Sequence, residues 1–114
     1  MPQEVRRGEI YWVDWNPARG SDQSGTRPAL VIQNDIGNRF SPNTIVASVT
    51  TAPTKLYPFM VRITPGESGL SEDSIADLES IMTVSKSRLQ GVCGRLGEVK
   101  MAKVDKAICN SLAL

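Results

Sequence analysis

The chain has 114 residues, a formal net charge of +1, and ordinary shares of apolar (40%) and charged (22%) residues. This size and composition predict one globular domain, residues 1–114, that buries its own core, and the small net charge excludes nucleic-acid binding driven by bulk electrostatics alone. No apolar run approaches the roughly 20 residues of a membrane-spanning helix and no secretion signal opens the sequence, so we expect a cytoplasmic protein without a membrane partner.

The sequence contains no histidine. Histidine is the usual proton-transfer group near neutral pH and the commonest zinc ligand. Its absence excludes Ser-His-Asp and Cys-His catalysis, as well as a paired-histidine nuclease. Cys93 and Cys109 are the only cysteines. They do not form a CxxC pair, and in a cytoplasmic chain they are expected to be free thiols.

Three strands and one short helical turn are predicted in the first half of the chain. β-branched and aromatic residues dominate the first strand, and both of its faces are expected to be covered, with Trp12 and Trp15 in the core. The second strand is nearly all apolar, and the third alternates between its two faces. The strands are Glu9–Asn16, Ala29–Gln33 and Thr44–Thr50, and the turn is Ile36–Phe40.

The second half predicts further strands, a polar connection and a C-terminal helix. The strands are Phe59–Ile63, Ser74–Val84 (as one strand or two) and Val92–Leu96, and the connection is Glu67–Asp73. From Glu98 to about Leu114 apolar residues recur at helical spacing, in a stripe of Met101, Val104, Ile108 and Leu112. Strands followed by one helix, with short links, predict a mainly β protein with α (α+β). We expect a strongly curved antiparallel sheet or small barrel with helices packed at its ends.

A polar loop that leads into the second strand is the most informative segment. It runs from Gly20 to Pro28, and Arg27 stands at its end, directly before the proline. A guanidinium held by rigid neighbours can bind a phosphate or carboxylate through two parallel hydrogen bonds. A surface arginine in an ordinary strand connection is the alternative, and it is the commoner case for an isolated Arg-Pro pair.

The third strand places a hydroxyl near this arginine. Alternation puts Thr50 at the strand's end, on the face opposite Ile45, Ala47 and Val49. If the second and third strands pair antiparallel, Arg27 and Thr50 meet at one sheet edge, because the start of one strand neighbours the end of its partner. The sequence therefore allows a guanidinium and a hydroxyl to converge on one phosphate.

Four carboxylates lie close together in the second half: Glu72, Asp73, Asp77 and Glu79. Carboxylate oxygens can bind magnesium, but a solvated acidic face is the favoured interpretation of such a run. No metal-ligand spacing, phosphate-binding loop or dinucleotide fingerprint is present, so we expect no metal and no cofactor.

The first half of the sequence resembles the MazF/PemK (Kid) family of toxin endoribonucleases. The similarity extends from Arg7 over nearly the whole chain, and its first half carries the specific motifs. These are Asn16-Pro17 at the end of the first strand, the G-S-[D/E]-Q-x-G-x-R-P loop at Gly20–Pro28, and the V-x-x-x-T strand at Val46–Thr50.

The resemblance implies a small CcdB/PemK-type sheet or half-barrel with a C-terminal helix, assembled as a homodimer. It implies sequence-specific, metal-independent cleavage of single-stranded RNA that leaves a cyclic phosphate and a 5′-hydroxyl. It also implies a cognate antitoxin with an acidic, extended tail. The implied catalytic residues are Arg27 and Thr50, and the implied substrate-binding residues are Ser21, Asp22, Gln23 and Thr51.

Two rival functions remain. One is a CcdB-like poison that binds a topoisomerase and cleaves nothing; the Arg27–Pro28 loop and Thr50 argue against it. The other is an inactive family member that serves as a binding module. The RNA sequence that is cut does not follow from these residues.

Overall fold

A computed structural model describes residues 4–15 and 25–114 of the chain. In these residues it contains six strands, three helices and a 3₁₀ turn at Lys86–Arg88. The strands are β1 (Glu9–Asp14), β2 (Thr26–Val31), β3 (Asn43–Thr51), β4 (Met60–Ile63), β5 (Ser74–Ser85) and β6 (Leu89–Arg95). The helices are α1 (Asp35–Phe40), α2 (Pro65–Ser68) and α3 (Glu98–Leu112).

All six strands form one sheet in the order β4-β5-β3-β2-β1-β6. Every neighbouring pair is antiparallel, and bulges interrupt the β1–β6 and β3–β5 ladders. Bulges increase local twist, so they bend the sheet. The predicted α+β class, with a curved antiparallel sheet and a C-terminal helix, is confirmed.

The sheet buries apolar side chains on both faces. On one face α3 packs over a cluster that includes Ile10, Leu30, Ala47 and Val49. On the other face a second cluster contains Tyr11, Val13, Ala29, Val31 and Val46. Adjacent residues of β1, β2 and β3 thus contribute to opposite clusters, which is the period-2 alternation of a strand covered on both sides.

Most predicted bounds agree with the structure to within one or two residues, and three larger differences remain. β2 begins at Thr26 instead of Ala29, so Arg27 and Pro28 belong to the strand. β6 begins at Leu89 instead of Val92, because it pairs with β1 as far as Val13. The connection after β4 also contains α2, whose four residues are too few to show helical periodicity in the sequence.

α2 is held by a carboxylate at its start. The backbone N–H and the hydroxyl of Thr64 both donate to Glu67 Oε2, at 2.9 and 3.0 Å. The same oxygen lies 3.6 Å from Lys100 Nζ in α3. The hydrogen bond from the Thr64 N–H is the main reason that the pKa of Glu67 is lowered. One carboxylate therefore caps α2 and ties it to α3.

α3 begins and ends close to the predicted limits, with Gly97 at its N-cap. Met101, Val104 and Ala107 are buried, and Ile108 is partly buried against the same cluster. Leu112, the last member of the predicted stripe, is 55% exposed and does not belong to the cluster. Cys93 and Cys109 are free thiols, as predicted. Within residues 4–15 and 25–114, no helix has both the length and the apolar character to cross a bilayer.

Two identical substitutions on α3 test how the helix stabilises the sheet. Val104 is fully buried and Val99 is 79% exposed. We expect Val104→Ala to lower the free energy of unfolding by about 2 kcal/mol, because it leaves a cavity under the helix. Val99→Ala should change it by less than about 0.5 kcal/mol. Urea unfolding measures both, and equal losses at the two positions would contradict this packing.

The lowered pKa of Glu67 makes its contribution to stability depend on pH. A carboxyl whose pKa is lower in the folded state stabilises the fold above its unfolded pKa, and this contribution is lost as pH falls through the folded pKa. We expect Glu67→Ala to cost about 1 kcal/mol at pH 7 and progressively less in acid. Urea midpoints of both proteins from pH 7 to pH 3 should converge; a gap that stays constant would show that the charge is not involved.

Candidate active site

Arg27 and Thr50 line one cavity of about 330 Å³. Its walls come from the start of β2, the end of β3, and the segment between α2 and β5. β2 and β3 are antiparallel, as the predicted juxtaposition requires. Ala29 pairs with Ser48, and the same register continued by two residues sets Arg27 opposite Thr50.

Pro28 explains why a cavity opens at this point. The pairing of β2 with β3 begins at Ala29, directly after the proline. Proline has no N–H to donate to a ladder, so it cannot extend the hydrogen bonding. Beyond Pro28 the two strands remain neighbours without a ladder between them. Arg27 and Thr50 are both exposed there, with room for an anion.

β5 holds the threonine side of the cavity. Thr50 pairs with Ile75, and Thr51 pairs with Ser74. Thr51 also lines the cavity, and its side chain is exposed. Two adjacent hydroxyl residues of one strand point to opposite faces of the sheet. Thr50 shares a face with Arg27, and Thr51 lies at the rim.

The segment from Gly69 to Ser74 forms the opposite wall. Gly69 has a left-handed backbone (φ +76), and a Cβ added there would lie 1.8 Å from the carbonyl oxygen of Cys93. A Cβ at Gly94 would lie 2.4 Å from the carbonyl oxygen of Ser68. Two backbones therefore approach closely where only glycine fits. This contact fixes the wall that faces Arg27.

Trp12 also lines the cavity, and its place differs from the prediction. The sequence predicts a core tryptophan, but the residue is 37% exposed. It pairs with Pro28 across β1 and β2, whereas α3 packs mainly against β4 and β5. An exposed indole that lines the same cavity as a guanidinium offers a flat surface on which a nucleic-acid base can stack.

The charged groups around the cavity have opposite signs. Arg27 supplies the cation, and Glu72 supplies a carboxylate. Within residues 4–15 and 25–114, no three His, Cys, Asp or Glu side chains are grouped so that they could hold a metal ion. Burial raises the pKa of the Cys93 thiol, which disfavours the thiolate that a cysteine nucleophile requires. The cavity therefore offers a guanidinium and hydroxyls that can donate hydrogen bonds, and one carboxylate that can accept a proton.

The structure brings together the predicted residues that it describes. Arg27, Thr50 and Thr51 line the same cavity. Ser21, Asp22 and Gln23 lie outside the described residues. Trp12 and Glu72 line the cavity as well and are not predicted as site residues from the sequence. Strand alternation predicts the face of Trp12, but its exposure depends on how the helices pack on the sheet.

A larger depression, of about 700 Å³, lies beside α1. Its polar groups are largely bonded to one another. The Thr44 hydroxyl donates to Asn38 Oδ1 at 2.6 Å, and Lys86 Nζ donates to the Asn38 carbonyl. Asp35 accepts from the Arg7 N–H at 2.7 Å, which is the main cause of its lowered pKa. These bonds hold α1 against the sheet. The charged groups of this depression therefore have a structural role.

The chain matches known proteins over nearly its whole length. Residues 6–112 match the family described as PemK-like, MazF-like toxin of type II toxin-antitoxin system. The chain is 48% identical over 111 residues to endoribonuclease EndoA of Bacillus subtilis (strain 168), covering 96% of each protein. It is 43% identical over 111 residues to endoribonuclease MazF of Staphylococcus epidermidis, covering 96% of this chain and 92% of that protein.

A solved structure shares the fold at lower sequence identity. It is an endoribonuclease in complex with its cognate antitoxin from a mycobacterial species, with a TM-score of 0.80 at 24% identity and 96% of each chain covered.

Proposed function

The chain belongs to the PemK-like, MazF-like toxins of type II toxin–antitoxin systems, and we propose that it is a toxin endoribonuclease that cuts single-stranded RNA at specific sequences without a metal ion. The observation that carries this proposal is the cavity shared by Arg27 and Thr50. A guanidinium and a hydroxyl on one face, one strand apart, can bind two oxygens of one phosphate.

The substrate supplies the nucleophile. The 2′-hydroxyl of RNA attacks the adjacent phosphorus, the bond to the 5′-oxygen of the next nucleotide breaks, and a cyclic phosphate and a free 5′-hydroxyl result. DNA lacks the 2′-hydroxyl and does not react. Negative charge grows on the phosphoryl oxygens during the attack, and hydrogen bonds from Arg27 and Thr50 stabilise it.

Cleavage also requires groups that accept the 2′-hydroxyl proton and protonate the leaving oxygen. A guanidinium keeps its proton at neutral pH and is therefore a poor base. Arg27 clamps the phosphate charge and acts at most as the acid for the leaving oxygen. Asp22 or a water accepts the 2′-hydroxyl proton. Glu72 adds a second carboxylate near the phosphate position.

Substrate binding involves residues around the cavity. Ser21, Asp22 and Gln23 belong to the loop that leads to Arg27, and Thr51 stands at the rim. Trp12 offers a stacking surface for an unpaired base. These groups require splayed-out bases, so they fit single-stranded RNA better than a duplex.

The toxin works as a homodimer in the cytoplasm, and a cognate antitoxin with an acidic, extended tail inhibits it. The family description and the antitoxin bound in the mycobacterial structure support the antitoxin as a partner. A CcdB-like poison without nuclease activity is the second candidate. The cavity that Arg27 and Thr50 share disfavours it, since a pure binding protein needs no such pair.

Alanine variants at the two positions test the catalytic assignment. We expect Arg27→Ala and Thr50→Ala each to lower kcat by about 100- to 1000-fold, because each removes one donor to the developing charge. Thr54→Ala removes an exposed threonine from the following loop and should leave kcat within about twofold. Cleavage of a long RNA in EDTA, followed on a gel, measures all three.

Discrete fragments from the wild type in EDTA would support the nuclease, whereas an intact transcript would favour the topoisomerase poison. If Arg27→Ala and Thr50→Ala produced the same fragments at the wild-type rate, the activity would come from a contaminating ribonuclease or from another site.

The pH dependence of the rate identifies the base. We expect Asp22→Asn to abolish the acidic limb of the kcat profile if Asp22 accepts the proton, because an amide cannot do so. Glu72→Gln serves as the parallel variant. If only Glu72→Gln lost the acidic limb of the kcat profile, Glu72 would be the proton acceptor. If both variants kept the wild-type profile, a water molecule would be the acceptor.

A further inference from the structure

A second, strongly basic groove lies between β4 and α3. It has a volume of about 440 Å³ and contains Arg62 and three lysines of α3, Lys100, Lys103 and Lys106. The lysines are spaced three residues apart, so they form a stripe along one side of the helix. At 1.5 Å per residue the stripe spans roughly 9 Å.

Among residues 4–15 and 25–114, three of these four cations have no anionic partner. Lys100 is engaged, because its ammonium donates to the Arg62 carbonyl at 2.8 Å and lies 3.6 Å from Glu67. Among the described residues, no carboxylate lies within ion-pairing distance of Arg62, Lys103 or Lys106. All three residues are exposed. The groove thus presents positive charge that the fold itself does not neutralise.

Two backbone carbonyls at this edge of the sheet already accept hydrogen bonds from side chains of α3. β4 is an edge strand, and Lys100 and Asn110 donate to the carbonyls of Arg62 and Pro58. A guest strand that adds to this edge would have to displace both side chains. The groove therefore suits a ligand that binds the side-chain cations rather than one that pairs with the backbone.

A row of paired residues connects the groove to the candidate active site. Thr50 pairs with Ile75 in β5, and Ile75 pairs with Arg62 in β4. Directly opposed residues of antiparallel strands point to the same face. Strands are about 4.8 Å apart, so Arg62 lies roughly 10 Å from Thr50. The Arg62 side chain therefore points to the face of Thr50, opposite α3, while the residue also lines the groove at the edge strand.

An aromatic pair, of which Tyr57 is exposed and Phe59 is half-buried, lies next to the groove in the sequence. The rings of Tyr57 and Phe59 are stacked, with centroids 5.6 Å apart, and Tyr57 is 46% exposed. They flank Pro58, which lines the groove, and Lys55 Nζ lies 5.2 Å from the centroid of the Tyr57 ring. Proteins that bind single-stranded nucleic acid combine such aromatic surfaces with a positive groove.

We infer that the groove is a second RNA-binding site, which holds the phosphate backbone of substrate nucleotides beyond the cut bond. The RNA passes from Thr50 over Arg62 and reaches Lys103 and Lys106. This inference rests on the proposed ribonuclease activity for its substrate. It predicts that the enzyme prefers a long RNA to a short one that contains the same cleavage site.

The test compares two RNAs that share one mapped cleavage site. One is a short oligonucleotide of the site alone, and the other extends it by about fifteen nucleotides on each side. The variant Lys103→Gln/Lys106→Gln removes two exposed charges from the groove. Arg39→Glu lowers the net charge by the same amount on α1, outside the groove, and serves as the matched control.

We expect the double variant to lose about tenfold in kcat/KM on the long RNA, through KM, and to cleave the short RNA like the wild type. Each phosphate contact to a single strand contributes a slope of about −0.7 to the plot of log affinity against log salt. The slope for the long RNA should therefore become shallower by about 1.4. Arg39→Glu should keep the wild-type ratio of long to short RNA and the wild-type slope.

An unchanged ratio and an unchanged salt slope in the double variant would overturn the inference. If the double variant instead lost only its affinity for poly-glutamate, the groove would be a site for an acidic protein segment, and the RNA assignment would be wrong. A long single-stranded DNA cannot be cut, so its affinity for the protein measures binding by the groove independently of cleavage. Failure of the wild type to cleave either RNA would contradict the proposed function, while loss of DNA binding in the double variant would still support the groove.

Discussion

The end of the β2–β3 ladder at Pro28 is the constraint on which the candidate site depends. An antiparallel ladder keeps its strands in register, and a proline within it removes a donor. In this chain the ladder begins only at Ala29, so Arg27 and Thr50 stay opposite each other while the space between them is open. The β2–β3 register aligns Arg27 with Thr50, and the N–H that Pro28 lacks leaves space between the two strands. Neither feature alone would place the guanidinium and the hydroxyl at one open cavity.

The rest of the fold holds the far wall of this space at a fixed distance. Glu67 caps α2 and contacts Lys100 of α3, while Gly69 and Gly94 allow the α2–β5 segment to approach β6 closely. The wall that carries Glu72 is therefore tied to the sheet on one side and to α3 on the other. Rigid support of this kind reduces the reorganisation that a charged transition state would otherwise require. The same helix carries the lysines of the second groove, so one element supports both proposed RNA contacts.

Much of this architecture could be predicted from the sequence, and the failures have physical causes. The alternation of β3 and the apolar run of β2 were sufficient to predict that Arg27 and Thr50 meet, because side-chain period and strand pairing are local rules. α2 was missed since a four-residue helix shows no periodicity, and its capping carboxylate resembles an ordinary surface charge. The residue type of Trp12 predicts a core position, but α3 packs mainly against β4 and β5, and Trp12 of β1 is 37% exposed. Ser21, Asp22 and Gln23 lie outside the described residues, so their role stays a prediction.

The central claim is that Arg27 and Thr50 act together on one phosphate, and a double-mutant cycle tests it most directly. Residues that act as a unit show strongly non-additive losses, whereas independent residues show losses that multiply. With single-turnover cleavage of one RNA, we expect Arg27→Ala/Thr50→Ala to be about as slow as the slower single variant. A double variant whose rate loss equals the product of the two single losses would contradict a shared phosphate and would assign the two residues to separate steps.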